Sequence, residues 1–153
     1  ISNHESVISK VLVDKKSPFL KSVILNRGFN SGLKKGMPVL KGPYFIGRIT
    51  EVNYLSSRVL LLNDLNSRIP VVIVPQNYHS IMIGKSNDLP SLKFLPEDNE
   101  LLSGEKIYTS GKDGVIQAGI PVGQVFIEEN EHKVKLFSNS TQINFVNVIK
   151  GAY

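Results

Sequence analysis

The sequence predicts an all-β fold of two small six-stranded barrels in tandem. Three observations support this prediction: short apolar or β-branched runs separated by turn residues, a lack of helical periodicity, and a repeat that relates the two halves of the chain. Gly, Pro, Asn or Ser interrupts nearly every window of a dozen residues, which disfavours amphipathic helices. The 153 residues, 41% of them apolar, suffice for a core in one ordinary domain or two small ones.

Twelve runs have the composition of strands, six in each half of the chain. In the first half they are residues 7–13, 22–25, 37–40, 45–52, 58–62 and 69–74. In the second half they are residues 81–83, 92–95, 106–109, 122–128, 133–137 and 143–149. Because a small sheet protects its edges by closing on itself, each set predicts a barrel.

The two halves match in register as well as in strand number. Residues 46–49 (Ile-Gly-Arg-Ile) align with 122–125 (Val-Gly-Gln-Val) at an offset of 76 residues, and 58–61 align with 133–136 at an offset of 75. A second signature places an apolar residue three positions before a glycine. It occurs at Leu33–Gly36, Leu101–Gly104 and Ile116–Gly119. We interpret it as a structural turn, in which the apolar side chain enters the core and the glycine adopts a left-handed conformation.

The predicted division of the chain assigns residues 11–77 to the first barrel and 78–153 to the second. The boundary is placed between Pro75 and Tyr78, where a strand ends at proline and a polar stretch follows. The last strand, residues 143–149, could instead return to complete the first barrel. The sequence leaves both arrangements open.

Charge is divided unevenly between the two halves. Residues 1–77 carry 11 Lys/Arg and 4 Asp/Glu, a net charge of +7, whereas residues 78–153 carry 7 and 9, a net charge of −2. A basic half could bind nucleic acid or another anionic polymer. Only four of the 18 cations are arginines, and the lysines are not interleaved with base-stacking aromatics, so we predict no nucleic-acid partner. Binding of an anionic polymer through the basic half remains an alternative function.

Two six-stranded barrels also occur in chymotrypsin-type proteases, so an enzyme hypothesis depends on individual catalytic residues. His4 precedes the first predicted strand, His79 lies at the boundary, and His132 falls in a predicted hairpin turn. Ser110, in Thr-Ser-Gly, lacks the Gly-Asp-Ser-Gly surroundings of that nucleophile. We therefore predict no catalytic residues and no enzymatic activity.

Metal and cofactor sites are not predicted either. The chain has no cysteine, and its three histidines are isolated from one another. Residues 111–114 (Gly-Lys-Asp-Gly) lack the Gly-Lys-Ser/Thr ending of a phosphate-binding loop and fit a tight turn better.

Partner-binding residues are predicted from aromatic side chains in loop-like positions. Tyr44 and Phe45 follow a Gly-Pro turn, and Tyr78 lies at the predicted boundary. Aromatic residues are mostly buried in folded proteins, so the competing interpretation is packing against their own barrel.

A series of segments, in order and spacing, closely resembles the bacterial rod shape-determining MreC family. The resemblance covers roughly residues 7–149. Its motifs are residues 26–39, 45–52, 57–64 and 67–71 in the first half, and 95–96, 103–105, 109–111, Gly114 and 119–125 in the second. Glu105 departs from the usual Asp, and Ala118 from a frequent Pro. The family-motif turn glycines are Gly36, Gly47, Gly104, Gly111, Gly114, Gly119 and Gly123.

This resemblance implies the periplasmic domain of a protein anchored in the bacterial inner membrane. Residues 1–10 would then be the end of a dimerising coiled coil. It further implies a non-enzymatic scaffold of the cell-elongation machinery that maintains cell shape and self-associates. The implied partners are the actin-like MreB system, the membrane protein MreD, a penicillin-binding transpeptidase and its glycan polymerase.

Overall fold

The computed structural model describes residues 4–12, 21–138 and 143–152, and within them the chain is almost entirely extended. A single 3-10 turn, Phe29–Ser31, is the one helical segment of these ranges. The strands are β1 (His4–Leu12), β2 (Ser22–Leu25), β3 (Pro38–Lys41), β4 (Tyr44–Val52), β5 (Ser57–Leu61), β6 (Arg68–Val74), β7 (Tyr78–Lys85), β8 (Asp88–Lys93), β9 (Lys106–Thr109), β10 (Pro121–Glu128), β11 (Glu131–Leu136) and β12 (Phe145–Ala152).

These strands form two closed antiparallel barrels. The first follows the order β1-β12-β3-β4-β5-β2, and the second follows β10-β11-β8-β7-β6-β9. Closure pairs the backbone groups that open edges would expose. The predicted fold class is confirmed.

The chain divides between the barrels differently from the prediction. One unit contains Ile1–Leu61 together with Asn139–Tyr153, and the other contains Leu62–Ser138. Strand β6 pairs with β7 and β9, so it belongs to the second barrel. The last strand, β12, pairs with β1 and β3 and closes the first barrel. The predicted boundary after residue 77 is therefore corrected to the step between Leu61 and Leu62.

A second correction concerns the N-terminal segment. Residues 4–10, assigned to the end of a coiled coil, lie in strand β1, which pairs with β12 along most of its length. Residues 1–3 lie outside the described residues.

The turn that precedes β6 shows why the second barrel begins at Leu62. The backbone N–H of Asn66 donates to Asp64 Oδ1 at 2.8 Å, and Asp64 is buried. The carbonyl of Asp64 lies so close to Gly84 on β7 that a Cβ atom there would overlap it. Residues 62–67 therefore pack on the second barrel.

The two barrels have the same spatial order of strands, but the chain begins each barrel at a different strand of that order. Around the first barrel β12 lies between β1 and β3, and around the second β6 lies between β7 and β9. The equivalent pairs are β1/β7, β2/β8, β3/β9, β4/β10, β5/β11 and β12/β6. Strand β12 is the last strand of the first barrel along the chain, whereas its equivalent, β6, is the first strand of the second barrel. The repeat is thus circularly permuted, which is why counting six strands from the N-terminus assigned β6 to the wrong barrel.

Alternation along the strands builds each core. Residues Ile69, Val71 and Ile73 of β6 are buried, with less buried neighbours between them. The core cluster of the first barrel consists of Leu25, Leu33, Val39, Ile46, Ile49, Val59, Leu61, Ile143, Val146 and Val148.

The apolar-to-glycine signature forms the same turn in all three places. At the first, Leu33 is buried and Gly36 has φ of 92°. The Gly36 N–H donates to the Ile49 carbonyl (2.7 Å), and the Ile49 N–H donates to the Met37 carbonyl (3.0 Å). The same two hydrogen bonds link Gly104 and Glu105 to Val125, and Gly119 and Ile120 to Thr109. Leu101 and Ile116 are likewise buried, and Gly104 and Gly119 have φ of 96° and 91°.

Gly47 and Gly123 mark a close strand approach that recurs in both barrels. A Cβ atom at Gly47 would overlap the carbonyl oxygen of Leu60, and one at Gly123 would overlap that of Lys135. Both glycines are buried, on β4 and its equivalent β10. The requirement here is absence of a side chain rather than an unusual backbone conformation.

Candidate functional site

The three predicted partner-binding aromatics differ in how far their side chains are buried. Tyr44, at the start of β4, is exposed, and Tyr78, at the start of β7, is half-buried. Phe45 is 0% exposed, so its assignment to a binding surface is corrected. A bulge opposite Val39 and Leu40 breaks the alternation of β4, so that Phe45 and the next residue, Ile46, are both buried.

The remaining turn glycines lie in the loop after β9. Gly111 and Gly114 have φ of 75° and 72°, and the Gly114 N–H donates to the Gly111 carbonyl. Asp113 Oδ1 accepts the backbone N–H groups of Val115 and Ile116, at 3.0 and 3.1 Å. These hydrogen bonds make the loop a braced turn.

A groove on the second barrel brings together residues that a hydrolase hypothesis would require. Its volume is about 430 Å³, and its lining includes His79, Ser110 and Asp113. Ser110 Oγ accepts the backbone N–H of Lys112 at 3.3 Å, and Asp113 braces the same turn. His79 is exposed on β7, whereas a general base is normally oriented by a third group. Ser110 and Asp113 therefore stabilise the turn, and His79 lies exposed beside it in an open groove.

With the corrected boundary, the two barrels differ more in net charge than the predicted halves do. The segments of the first barrel, residues 1–61 and 139–153, carry 11 Lys/Arg and 3 Asp/Glu, a net charge of +8. The second barrel, residues 62–138, carries 7 and 10, a net charge of −3. The first barrel therefore presents a basic surface to any partner.

The two most exposed aromatic side chains among the described residues of the first barrel lie side by side. Phe29 is 68% exposed and Tyr54 is 65% exposed, and their ring centroids are 6.4 Å apart with a 40° tilt. Leu55, the next residue, is exposed as well. A cluster of exposed apolar side chains is typical of binding surfaces.

Backbone hydrogen bonds hold this aromatic pair in place. The Phe29 N–H donates to the Asn53 carbonyl (2.7 Å), and the Asn30 N–H donates to the Tyr54 carbonyl (3.0 Å). Gly28 packs so closely against the same turn that a Cβ atom at this position would overlap the Asn53 carbonyl oxygen. The two loops that carry the rings are thus joined through their main chains.

A groove of about 430 Å³ runs beside the pair, and we call it the aromatic groove. Its lining is Phe29, Leu33, Lys34, Lys35, Val52, Asn53 and Tyr54. Among the described residues that line it, two are exposed lysines and none is acidic. The groove therefore combines apolar walls with a positively charged rim.

Sequence reasoning did not single out Phe29 and Tyr54. Both are aromatics in turns between predicted strands, which is the criterion that selected Tyr44 and Tyr78. Their pairing depends on the hydrogen bonds between residues 29–30 and 53–54, which local sequence does not reveal.

Lys133 is the centre of a charge cluster in the second barrel. Its Nζ lies 3.3 Å from Asp88 Oδ2, 3.2 Å from Glu128 Oε1 and 3.9 Å from Glu131 Oε2, and Lys133 is buried. The hydrogen bond to Glu128 and the proximity of Asp88 raise the Lys133 pKa above 10.5 despite the opposing effect of burial. The backbone N–H of Leu89, and then Lys133, lower the pKa of Asp88 below 3.8. The cluster ties β8 to β11, which share a single register pair, Lys133 with Ser91.

Among the described residues, His, Asp and Glu side chains form no group of three that could hold a metal ion. No helix in those ranges is long and apolar enough to cross a bilayer.

Comparisons with known proteins identify one family. The sequence model described as "Rod shape-determining protein MreC, barrel core" matches residues 11–150. The cell shape-determining protein MreC of Cereibacter sphaeroides is 35% identical over 145 residues, which are 94% of this chain and 48% of that protein. The chain thus spans about half the length of this relative.

Solved structures show the same fold. MreC of Listeria monocytogenes superposes with a TM-score of 0.86 at 25% identity, covering 98% of this chain and 77% of that one. The fold is also found in a complex between penicillin-binding protein PBP2 and MreC from Helicobacter pylori, with a TM-score of 0.70 at 17% identity, covering 96% of this chain and 100% of that one. With the family model covering nearly its whole length, this chain belongs to the rod shape-determining protein MreC family.

Proposed function

We propose that this chain is a non-enzymatic, periplasmic scaffold module of bacterial cell elongation, and that it binds a penicillin-binding transpeptidase. Family membership carries this proposal, since the relatives are cell shape-determining proteins. The complex of PBP2 with the Helicobacter pylori protein supports the choice of partner. A binding role also fits two closed barrels, whose exposed features are grooves and charged patches.

The same family membership supports a proposal about the wider assembly. We propose that the parent protein is anchored in the inner membrane and dimerises through a coiled coil outside this chain. It would connect the MreB system and MreD to the transpeptidase and its glycan polymerase. The chain spans 48% of its Cereibacter sphaeroides relative, and we propose these contacts for a protein of that length.

Calorimetric titration of the 153-residue chain with the transpeptidase ectodomain of the same bacterium tests the partner. We expect saturable binding with one-to-one stoichiometry. The ectodomain of a penicillin-binding protein from an unrelated pathway, such as a carboxypeptidase, is the control and should not bind. Absence of binding to the transpeptidase would contradict the proposal.

The basic first barrel supports binding of an anionic polymer as a second candidate function. Its net charge of +8 would attract such a polymer. A titration with heparin at increasing salt tests this, because binding by counterion release weakens steeply with salt. Binding at low salt whose affinity falls steeply as salt rises would favour this candidate, whereas absence of binding at low salt would exclude it.

A further inference from the structure

We infer that the aromatic groove of the first barrel is the docking site for an apolar segment of the partner protein that carries flanking carboxylates. This inference rests on the proposed transpeptidase partner and names the surface that receives it. The groove is bounded by Phe29 and Tyr54, with Lys34 and Lys35 at its rim.

Exposure of the two rings is the first observation. Phe29 and Tyr54 leave about two thirds of their surface in water, at 68% and 65% exposure, although both follow ordered strands. Exposed aromatic surface is unfavourable in water and favourable in an interface, where Tyr and other aromatics are enriched among the residues that dominate affinity. The main-chain bonds from Phe29 to Asn53 and from Asn30 to Tyr54 hold the rings in position before any partner arrives. Such preorganisation lowers the entropic cost of binding.

Charge complementarity defines the partner. Lys34 and Lys35 are exposed at the rim, and the described residues that line the groove include no acid. The whole barrel has a net charge of +8, so its field attracts acidic surfaces and repels basic ones. A segment with apolar side chains for the groove and carboxylates for the rim satisfies both features.

The lining favours a polypeptide over a sugar polymer. Leu33, Val52, Phe29 and Tyr54 make the walls apolar, and Asn53 supplies the one side-chain amide of the lining. The hydroxyl groups of a glycan require acceptors as well as donors, whereas Lys34 and Lys35 can only donate and so suit carboxylates better. Apolar peptide side chains need neither acceptors nor donors.

The test compares two substitution pairs with matched controls on the second barrel. Phe29→Ala/Tyr54→Ala removes the rings and keeps the main-chain bonds. Its control is Phe94→Ala, because Phe94 is the most exposed large apolar residue described, at 82%, and lines the groove of the other barrel. Lys34→Glu/Lys35→Glu reverses the rim charge, with Lys93→Glu/Lys112→Glu as its control, since these lysines are also exposed.

Calorimetric titration with the transpeptidase ectodomain should show affinity weakened by about tenfold or more for the aromatic pair. The lysine pair should weaken binding most at low salt, because rim charges act mainly through long-range attraction. Both controls should bind like the wild type. Thermal unfolding of each variant reports folding, and the lysine pair, which lies wholly on the surface, decides the outcome if the aromatic pair unfolds.

Three outcomes would overturn the inference, and each is distinguishable. Wild-type binding that survives both substitution pairs would place the partner elsewhere and leave the transpeptidase proposal intact. Absence of wild-type binding would overturn the transpeptidase proposal together with this inference. Heparin binding that depends on Lys34 and Lys35, with transpeptidase affinity independent of Phe29 and Tyr54, would assign the groove to a sugar polymer.

Discussion

Backbone packing at Gly47 and Gly123 makes these positions intolerant of any side chain. Each faces a carbonyl oxygen of the neighbouring strand, and a carbonyl cannot move without disturbing the ladder. We expect Gly47→Ala and Gly123→Ala to lower the free energy of unfolding by about 3 kcal/mol or more.

Gly114 provides the matched control for these two substitutions. It has φ of 72° and no atom within 4 Å of an added Cβ, so Gly114→Ala should cost only the left-handed strain of about 1–2 kcal/mol. Urea unfolding of the three variants gives the comparison. Equal losses at all three positions would contradict the close approach.

The charge cluster around Lys133 predicts stability that declines at both ends of the pH scale. The Asp88 pKa is lowered, so its contribution is present above pH 3.8 and is lost as pH falls through the folded-state pKa. The Lys133 pKa is raised, so its contribution is present below pH 10.5 and is lost as pH rises through the folded-state pKa.

Lys133→Met should destabilise the second barrel at neutral pH, remove the alkaline decline that Lys133 causes and weaken the acidic decline, which the Leu89 N–H bond to Asp88 partly preserves. The reason is that Asp88, Glu128 and Glu131 lose their shared cation. Urea unfolding across pH measures the effect, and Lys93→Met, exposed on β8, is the control. A pH profile for Lys133→Met that matches the wild-type profile would refute the role of the cluster.

Because the barrels are related by circular permutation, a short connection could join β12 directly to β1. Strand β12 pairs with β1 in a register that places Ala152 opposite His4. Joining residue 153 directly to residue 1 leaves four residues, 153 and 1–3, between these partners. That length suits a β-hairpin connection.

A chain of residues 139–153 followed by 1–61 should therefore fold as a first barrel with the strand order of the second. Residues 1–61 alone should not fold, because β1 and β3 lose the strand that lies between them. Residues 62–138 are the control and should fold alone. Circular dichroism with thermal unfolding decides, and cooperative unfolding of residues 1–61 alone would contradict this topology.

Local sequence located the strands far better than it located their partners. The two-residue alternation and turn residues revealed all twelve strands, and the apolar-to-glycine signature revealed the recurring turn. The sequence did not show which barrel β6 and β12 belong to. Strand β1 pairs with β12, about 140 residues away, and nothing in either segment indicates that pairing. Phe45 was misassigned for a similar reason, since the bulge that buries it involves its neighbour β3.

At the scale of the whole chain, closure of both barrels bears on self-association. In the described residues both sheets close on themselves, which limits the strand edge available for pairing with a second copy. We expect the 153-residue chain to be mainly monomeric when dilute. Sedimentation equilibrium checks this expectation, and a tight dimer that persists on dilution would show that barrel surfaces hold two copies together.

We propose that this chain binds a transpeptidase through its first barrel. Hydrogen exchange of the chain, measured with and without the transpeptidase ectodomain, reports on both barrels at once. We expect new protection in residues 28–35 and 52–56, which carry the aromatic groove, and none in the loop after β9. Protection confined to the second barrel, or no protection at saturating ectodomain, would contradict it.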